Sequence, residues 1–100
     1  MQLKTVMLKI QIDIHASERA AERGVSIEEI EDVIHTGHPV PAKQGRSAKS
    51  KVFDFNRERN GKFYKHKCVE VYYLIENNII ITVTVYAFYG TWEHQNEHSI

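Results

Sequence analysis

The amino-acid sequence predicts an α+β fold, with an N-terminal strand and a two-helix hairpin packed on a curved antiparallel β-meander of about four strands. Apolar and polar residues alternate from Leu8 to Ile14, the period of a half-buried strand. Ser26 and Glu29 stand at S-x-x-E spacing ahead of apolar residues at 3,4 spacing, the signature of a capped helix. Beyond residue 50, short alternating runs are separated by Asn-Gly and Asn-Asn, residues suited to tight hairpin turns.

In the first strand Leu8, Ile10, Ile12 and Ile14 make the apolar face, with Lys9, Gln11 and Asp13 between them. The next stretch, "HASERAAER", is rich in Ala, Glu and Arg, all good helix formers, and Gly24 supplies the left-handed residue that ends a helix. Ser26 starts the second helix, which presents Ile27, Ile30, Val33 and Ile34 until Gly37 and Pro39 stop it. A basic loop spans Pro41 to Ser50. The runs "KVFDFN", "KFYKHKC", "VEVYYLIE" and "IIITVTVYAF" then read as strands, with turns at Asn60-Gly61 and Asn77-Asn78. In the last run Ile79, Ile81, Val83, Val85 and Ala87 are expected to face the helices, leaving Thr82, Thr84 and Tyr86 outward. Of the closing rings, Phe88 and Trp92 are expected to seal the core edge, and Tyr86 and Tyr89 to face the open side. Residues 1–92 read as one domain and 93–100 as a polar tail.

The chain of 100 residues is long enough for one core, and its 42% hydrophobic content argues against a disordered segment. Its single cysteine, Cys68, excludes an internal disulfide. No secretory apolar region or run of 18 apolar residues stands in the sequence, so a cytoplasmic protein with no membrane contact is expected. The net charge is zero, yet nine of the thirteen Lys and Arg residues fall between Lys43 and Lys67, against only Asp54 and Glu58. From Ile12 to Ile34 acids dominate instead. The basic segment is either a set of solvated faces or a surface for a polyanion.

His15, Arg19 and Arg23 recur at i, i+4 and i+8, one ridge of donors on a continuous helix, either for phosphate or for pairing with neighbouring acids. "YKHK" concentrates a phenol, an imidazole and two ammonium groups. Alternation places Tyr64 and His66 on one face and Lys65 and Lys67 on the other. A metal-independent ribonuclease needs a base for the 2′-hydroxyl, cations for the phosphorane charge and an acid for the leaving oxygen, roles that His, Lys or Arg, and Tyr can fill. His94 and His98 share a helical metal-ligand spacing, but no third ligand is assured, and neither a metal nor another cofactor is expected. Cys68 reads as a small buried residue.

Three segments, "HASERAAERGVS", "YKHKCVEVYY" and "TVYAFYGTWE", resemble a bacterial domain-of-unknown-function family whose members read roughly H-A-x-x-R-x-x-E-R-G-[IV]-S and T-V-Y-x-F-Y-G-x-W-E. That family is similar to the RelE, ParE and BrnT group of toxins. The resemblance implies a RelE-like architecture and a toxin-like RNA-binding protein. It further implies a metal-independent ribonuclease, held inactive by an antitoxin from a neighbouring gene. Carried over position by position, it falls on His15, Arg19 and Arg23, on His66 and Lys67, and on Tyr86, Tyr89, Gly90 and Trp92. Chemistry alone then makes His15, His66, Lys67 and Tyr86 the expected catalytic residues, with His66 or His15 as base. Arg19, Arg23, Lys51, Lys65 and Tyr89 are the expected contacts to RNA. The alternative expectation is a non-catalytic protein-interaction or regulatory module on the same fold.

Overall fold

The alternation at the N-terminus does give a strand in the computed structural model, which describes residues 8–93. The elements are β1 (Lys9–Ile12), α1 (Ile14–Glu22), α2 (Ile27–Thr36), β2 (His38–Val40), β3 (Ser47–Arg59), β4 (Lys62–Glu76) and β5 (Ile79–Gly90). Asp13 caps α1 by accepting the His15 backbone N–H at 2.8 Å. Ser26 and Glu29 close the expected capping box on α2, each side chain accepting the other's backbone N–H at 3.0 Å. Gly24 takes φ +78° between the helices. Asn60-Gly61 and Asn77-Asn78 both have positive φ at two successive residues, the geometry whose twist matches a hairpin.

The sheet has five strands in the order β1-β5-β4-β3-β2, open and mixed. Strands β2 to β5 are antiparallel, and β1 joins in parallel beside β5, from Lys9 against Ile79 to Ile12 against Thr82. The segments that form the strands differ from the sequence expectation for physical reasons. "KFYKHKC" and "VEVYYLIE" are one uninterrupted strand, because nothing between Cys68 and Val69 turns the chain. His38–Val40 pairs with Ala48–Ser50, adding a short edge where the helix-stopping Pro39 stands.

Both helices lie on one face. Ala20, Val25, Ile30, Val33 and Ile34 pack there against Val69, Val71, Tyr73, Ile80 and Val85, with Leu8, Ile10, Ile12, Phe53 and Ala87 at the margin. The expected alternation along β5 fails at one point. Tyr72 pairs with Thr84 but Tyr73 pairs with Thr82, so Val83 is an extra residue and the face reverses across it. Ile80 and Thr82, not Ile79 and Ile81, therefore enter the core before the bulge, and Val85 and Ala87 after it. Thr82 is fully buried and its Oγ1 has no hydrogen-bond partner.

Polar contacts join the two layers. The Lys49 ammonium donates to the Ile34 carbonyl at 2.7 Å, and Lys51 to the Asp32 carboxylate at 2.9 Å. Lys51 and Thr36 together hold the Asp32 carboxyl below its ordinary value. At the end of α1, Arg59 of β3 donates to the Glu22 carbonyl at 3.0 Å and Tyr89 of β5 to that of Arg23 at 2.6 Å. Lys67 of β4, buried, donates to the Gly24 carbonyl and to Glu29, each at 2.8 Å. A Cβ on Gly24 would fall 2.6 Å from the Tyr89 hydroxyl and 2.7 Å from Arg59, so a side chain here would displace both tips from their carbonyls, and the φ of +78° would strain it as well.

A buried hydroxyl with no partner carries its desolvation cost uncompensated. Replacing Thr82 by Val removes that atom at nearly constant shape and is expected to stabilise the fold by about 1 kcal/mol, read from the midpoint of urea unfolding. A loss of stability would mean that the hydroxyl does have a partner.

Candidate nucleic-acid interface

The face of the sheet away from the helices has no layer of secondary structure over it among the described residues. Period-two geometry and the pairing register place Ser50, Val52, Cys68, Glu70, Tyr72, Thr84, Tyr86 and Phe88 on it. One half is closed by its own side chains. Ser50 and Cys68 are buried and hydrogen-bonded to each other at 3.3 Å, and burial pushes the Cys68 thiol up, which keeps it protonated and unreactive. His66 is buried beside them, its Nδ1 accepting the Trp92 backbone N–H at 3.0 Å and its Nε2 3.8 Å from Asp54.

The other half is an aromatic platform. Tyr86 and Phe88, two apart on β5, lie with ring planes 24° apart and centroids at 6.3 Å, and are 40% and 47% exposed. Tyr72 meets Tyr86 edge-on at 5.8 Å, and its hydroxyl donates to Glu70 at 3.2 Å. Burial, and then the Glu70 charge and hydrogen bond, push the Tyr72 phenol above its ordinary value. Arg23 reaches round the edge of β5: its Nη1 donates to the Val85 carbonyl at 2.8 Å while its guanidinium lies 5.1 Å from the centre of the Tyr86 ring. Beside this platform a cavity of about 600 Å³ opens between Tyr72, Thr84 and Tyr86 and the loop carrying Pro41, Lys43 and Arg46.

The residues marked from sequence divide between the two sides of the sheet. Tyr86 and Arg23 come together on the open platform. His66 shares that face but pairs in register with Gly90, four residues from Tyr86, or roughly 13 Å at the rise of a strand. His15 is exposed, 3.9 Å from Glu18, and stands at the far end of α1, about 12 Å along the axis from Arg23. Lys67, Lys51 and Tyr89 point to the helices and hold Glu29, Asp32 and the Arg23 carbonyl. Arg19 pairs with Glu22 at 3.4 Å, and Lys65 is exposed.

Alternation along β3 is also interrupted. A register shift between Asp54 and Arg57, with Asn56 at φ +48°, leaves an extra residue in β3 between the pairs Asp54–His66 and Arg57–Tyr64, and Tyr64 packs against Tyr89 at 5.6 Å. Phe88 stands beside Tyr86 on the open face and Tyr89 on the helix side, the reverse of the sequence expectation, because odd and even positions after the bulge point to opposite faces. Sequence reasoning missed Glu70 and Tyr72, and singled out Lys43 and Arg46 only as members of the basic segment. The signal available for Glu70 and Tyr72 is their even position within "KCVEVYY", opposite the even positions of "TVYAFYG".

Among the described residues no group of three His, Cys, Asp or Glu is placed to hold a metal, and no helix is long and apolar enough to cross a membrane. His94 and His98 lie outside the described residues.

Fold and face together define a small α+β protein with a helix-covered side and an uncovered aromatic side. The chain belongs to the family described as Domain of unknown function (DUF4258), which it matches over residues 13–87, from the cap of α1 to Ala87 in β5. No curated protein and no solved structure matches it.

The coupling of Tyr72 to Glu70 can be read directly. In a spectrophotometric titration of the phenols, Tyr72 is expected to ionise above 10.0, and Glu70→Gln to bring its ionisation down by removing the adjacent negative charge. Phenol titrations identical in the two proteins would contradict the contact.

Proposed function

We propose that the protein is a toxin-like RNA-binding protein that holds single-stranded RNA on the open face of its sheet. The observation that carries this reading is the Tyr86–Phe88 platform with a guanidinium above it and two cationic side chains, Lys43 and Arg46, at the mouth of the adjoining cavity. Rings stack bases without regard to sequence, and cations at their border take the phosphates. A protein surface would serve as partner equally well for the rings alone. The cavity bordered by Lys43 and Arg46 favours a polyanion.

The geometry favours binding over cleavage. The roles of base, cation and acid must converge within hydrogen-bond reach of one phosphate. Tyr86 and Lys67 are on opposite faces, and His66 accepts a backbone N–H at Nδ1 well along the strand. Within this proposal RNA is sequestered without being cut by His15, His66, Lys67 and Tyr86, and the neutralising partner encoded nearby acts by covering the same face.

Fluorescence anisotropy with a labelled single-stranded RNA tests the binding. Affinity is expected to fall steeply with salt, and Tyr86→Ala to weaken it roughly tenfold, the scale of one lost base stack. Lys43→Ala and Arg46→Ala should each lower the slope of log affinity against log salt by about one. Absence of binding at low salt, or binding indifferent to Tyr86→Ala, would overturn the reading. Expression of the protein alone is expected to arrest growth, and Tyr86→Ala to relieve the arrest. Growth that continues unchanged would remove the toxin part of the proposal and leave the binding.

A further inference from the structure

The open face separates its charges. Arg23, Lys43 and Arg46 stand at its border, whereas Glu70 stands inside it, paired across the ladder with Tyr86. Directly opposed residues on neighbouring strands have Cβ atoms about 5 Å apart. Glu70 therefore reaches the rim of any planar group resting on the Tyr86 and Phe88 rings. Its direction is set by Tyr72, whose hydroxyl donates to Oε1. A carboxylate has about four acceptor positions, so one bond from Tyr72 leaves both oxygens able to accept more.

This placement constrains what the platform can hold. A carboxylate repels phosphate, which is thereby confined to the cationic border, and it rewards only donors on the edge of the stacked group. Guanine is the RNA base with two adjacent donors, N1–H and the 2-amino group, on its Watson–Crick edge. Adenine and cytosine each set a ring-nitrogen acceptor next to their amino group, and uracil flanks its single N–H with carbonyls. In those three bases a lone pair faces the second carboxylate oxygen. We propose that Glu70, oriented by Tyr72, makes the open face select guanine in single-stranded RNA. The inference rests on the RNA-binding reading above and names the base that reading leaves open.

Anisotropy titrations with labelled UUGUU, UUAUU, UUCUU and UUUUU test it. The wild-type protein is expected to bind UUGUU about tenfold more tightly than the other three, the scale of one bidentate base contact. Glu70→Gln is expected to bring UUGUU and UUAUU within about twofold of each other, because the amide replaces one acceptor by a donor. Glu70 is only partly buried, and unchanged thermal unfolding of Glu70→Gln would tie the effect to recognition. Tyr72→Phe, which frees the carboxylate but keeps the ring, should reduce the preference while retaining affinity for all four. Equal wild-type affinities, or a guanine preference intact in Glu70→Gln, would overturn the inference and leave RNA binding standing. Failure of all four RNAs to bind would overturn both.

Discussion

Everything in this fold depends on how the end of α1 is held. The last carbonyls of a helix have no partner within it and carry the negative end of its dipole. Here the carbonyls of Glu22 at the end of the helix, of its cap residue Arg23 and of Gly24 just beyond are each met by a donor from a different strand: Arg59, Tyr89 and Lys67. One turn of chain thus registers β3, β4 and β5 against the helical layer at once. Lys67 extends the grip to Glu29, whose other role is to close the cap of α2, so the start of one helix and the end of the other are fixed by a single buried ammonium. The missing side chain at Gly24 is what allows such close approach.

The same arrangement accounts for a chain that is neutral overall yet strongly divided along its length. Lys49, Lys51, Arg59 and Lys67 all come from the basic segment, and all four reach acids or carbonyls of the helical one. Four of the nine cations of that segment thus serve complementarity between the two layers. What remains for the outside is smaller: Lys43 and Arg46 beside the cavity, and Arg23 lying over Tyr86 from the edge. Arg57 and Lys62 lie over Phe55 and Tyr64.

Local chemistry was the legible part of the sequence. The capping box, the left-handed Gly24 and the two Asn-containing turns are decided by residues within three or four positions of one another, and each forms as its residues require. Exposure of Tyr86 on the uncovered side is likewise readable from alternation. Less legible was anything that needs register. Whether Val83 is inserted or paired cannot be told from the unbroken run of β-formers from Ile79 to Tyr86, yet it decides which of Ile81 and Thr82 is buried. The site suffered most from this. "YKHK" looks like one catalytic cluster because its residue types are chemically versatile, but the fold gives Lys67 to the helices, His66 to Trp92 and Tyr64 to Tyr89. Conversely, Glu70 and Tyr72 look unremarkable until the ladder sets them opposite Tyr86 and Thr84.

The parallel strand β1 stops against Thr82, and the rest of β5 continues to Gly90 along a margin that no strand shares among the described residues. Bare margins of this kind invite a second polypeptide to add itself by backbone pairing, the usual first step toward swapped dimers and fibrils. Arg23 occupies the Val85 carbonyl in the middle of that margin and sets a bulky positive charge there. The guanidinium that leans over the aromatic ring therefore also takes one backbone acceptor out of that bare margin and sets a charge where an added strand would have to pair.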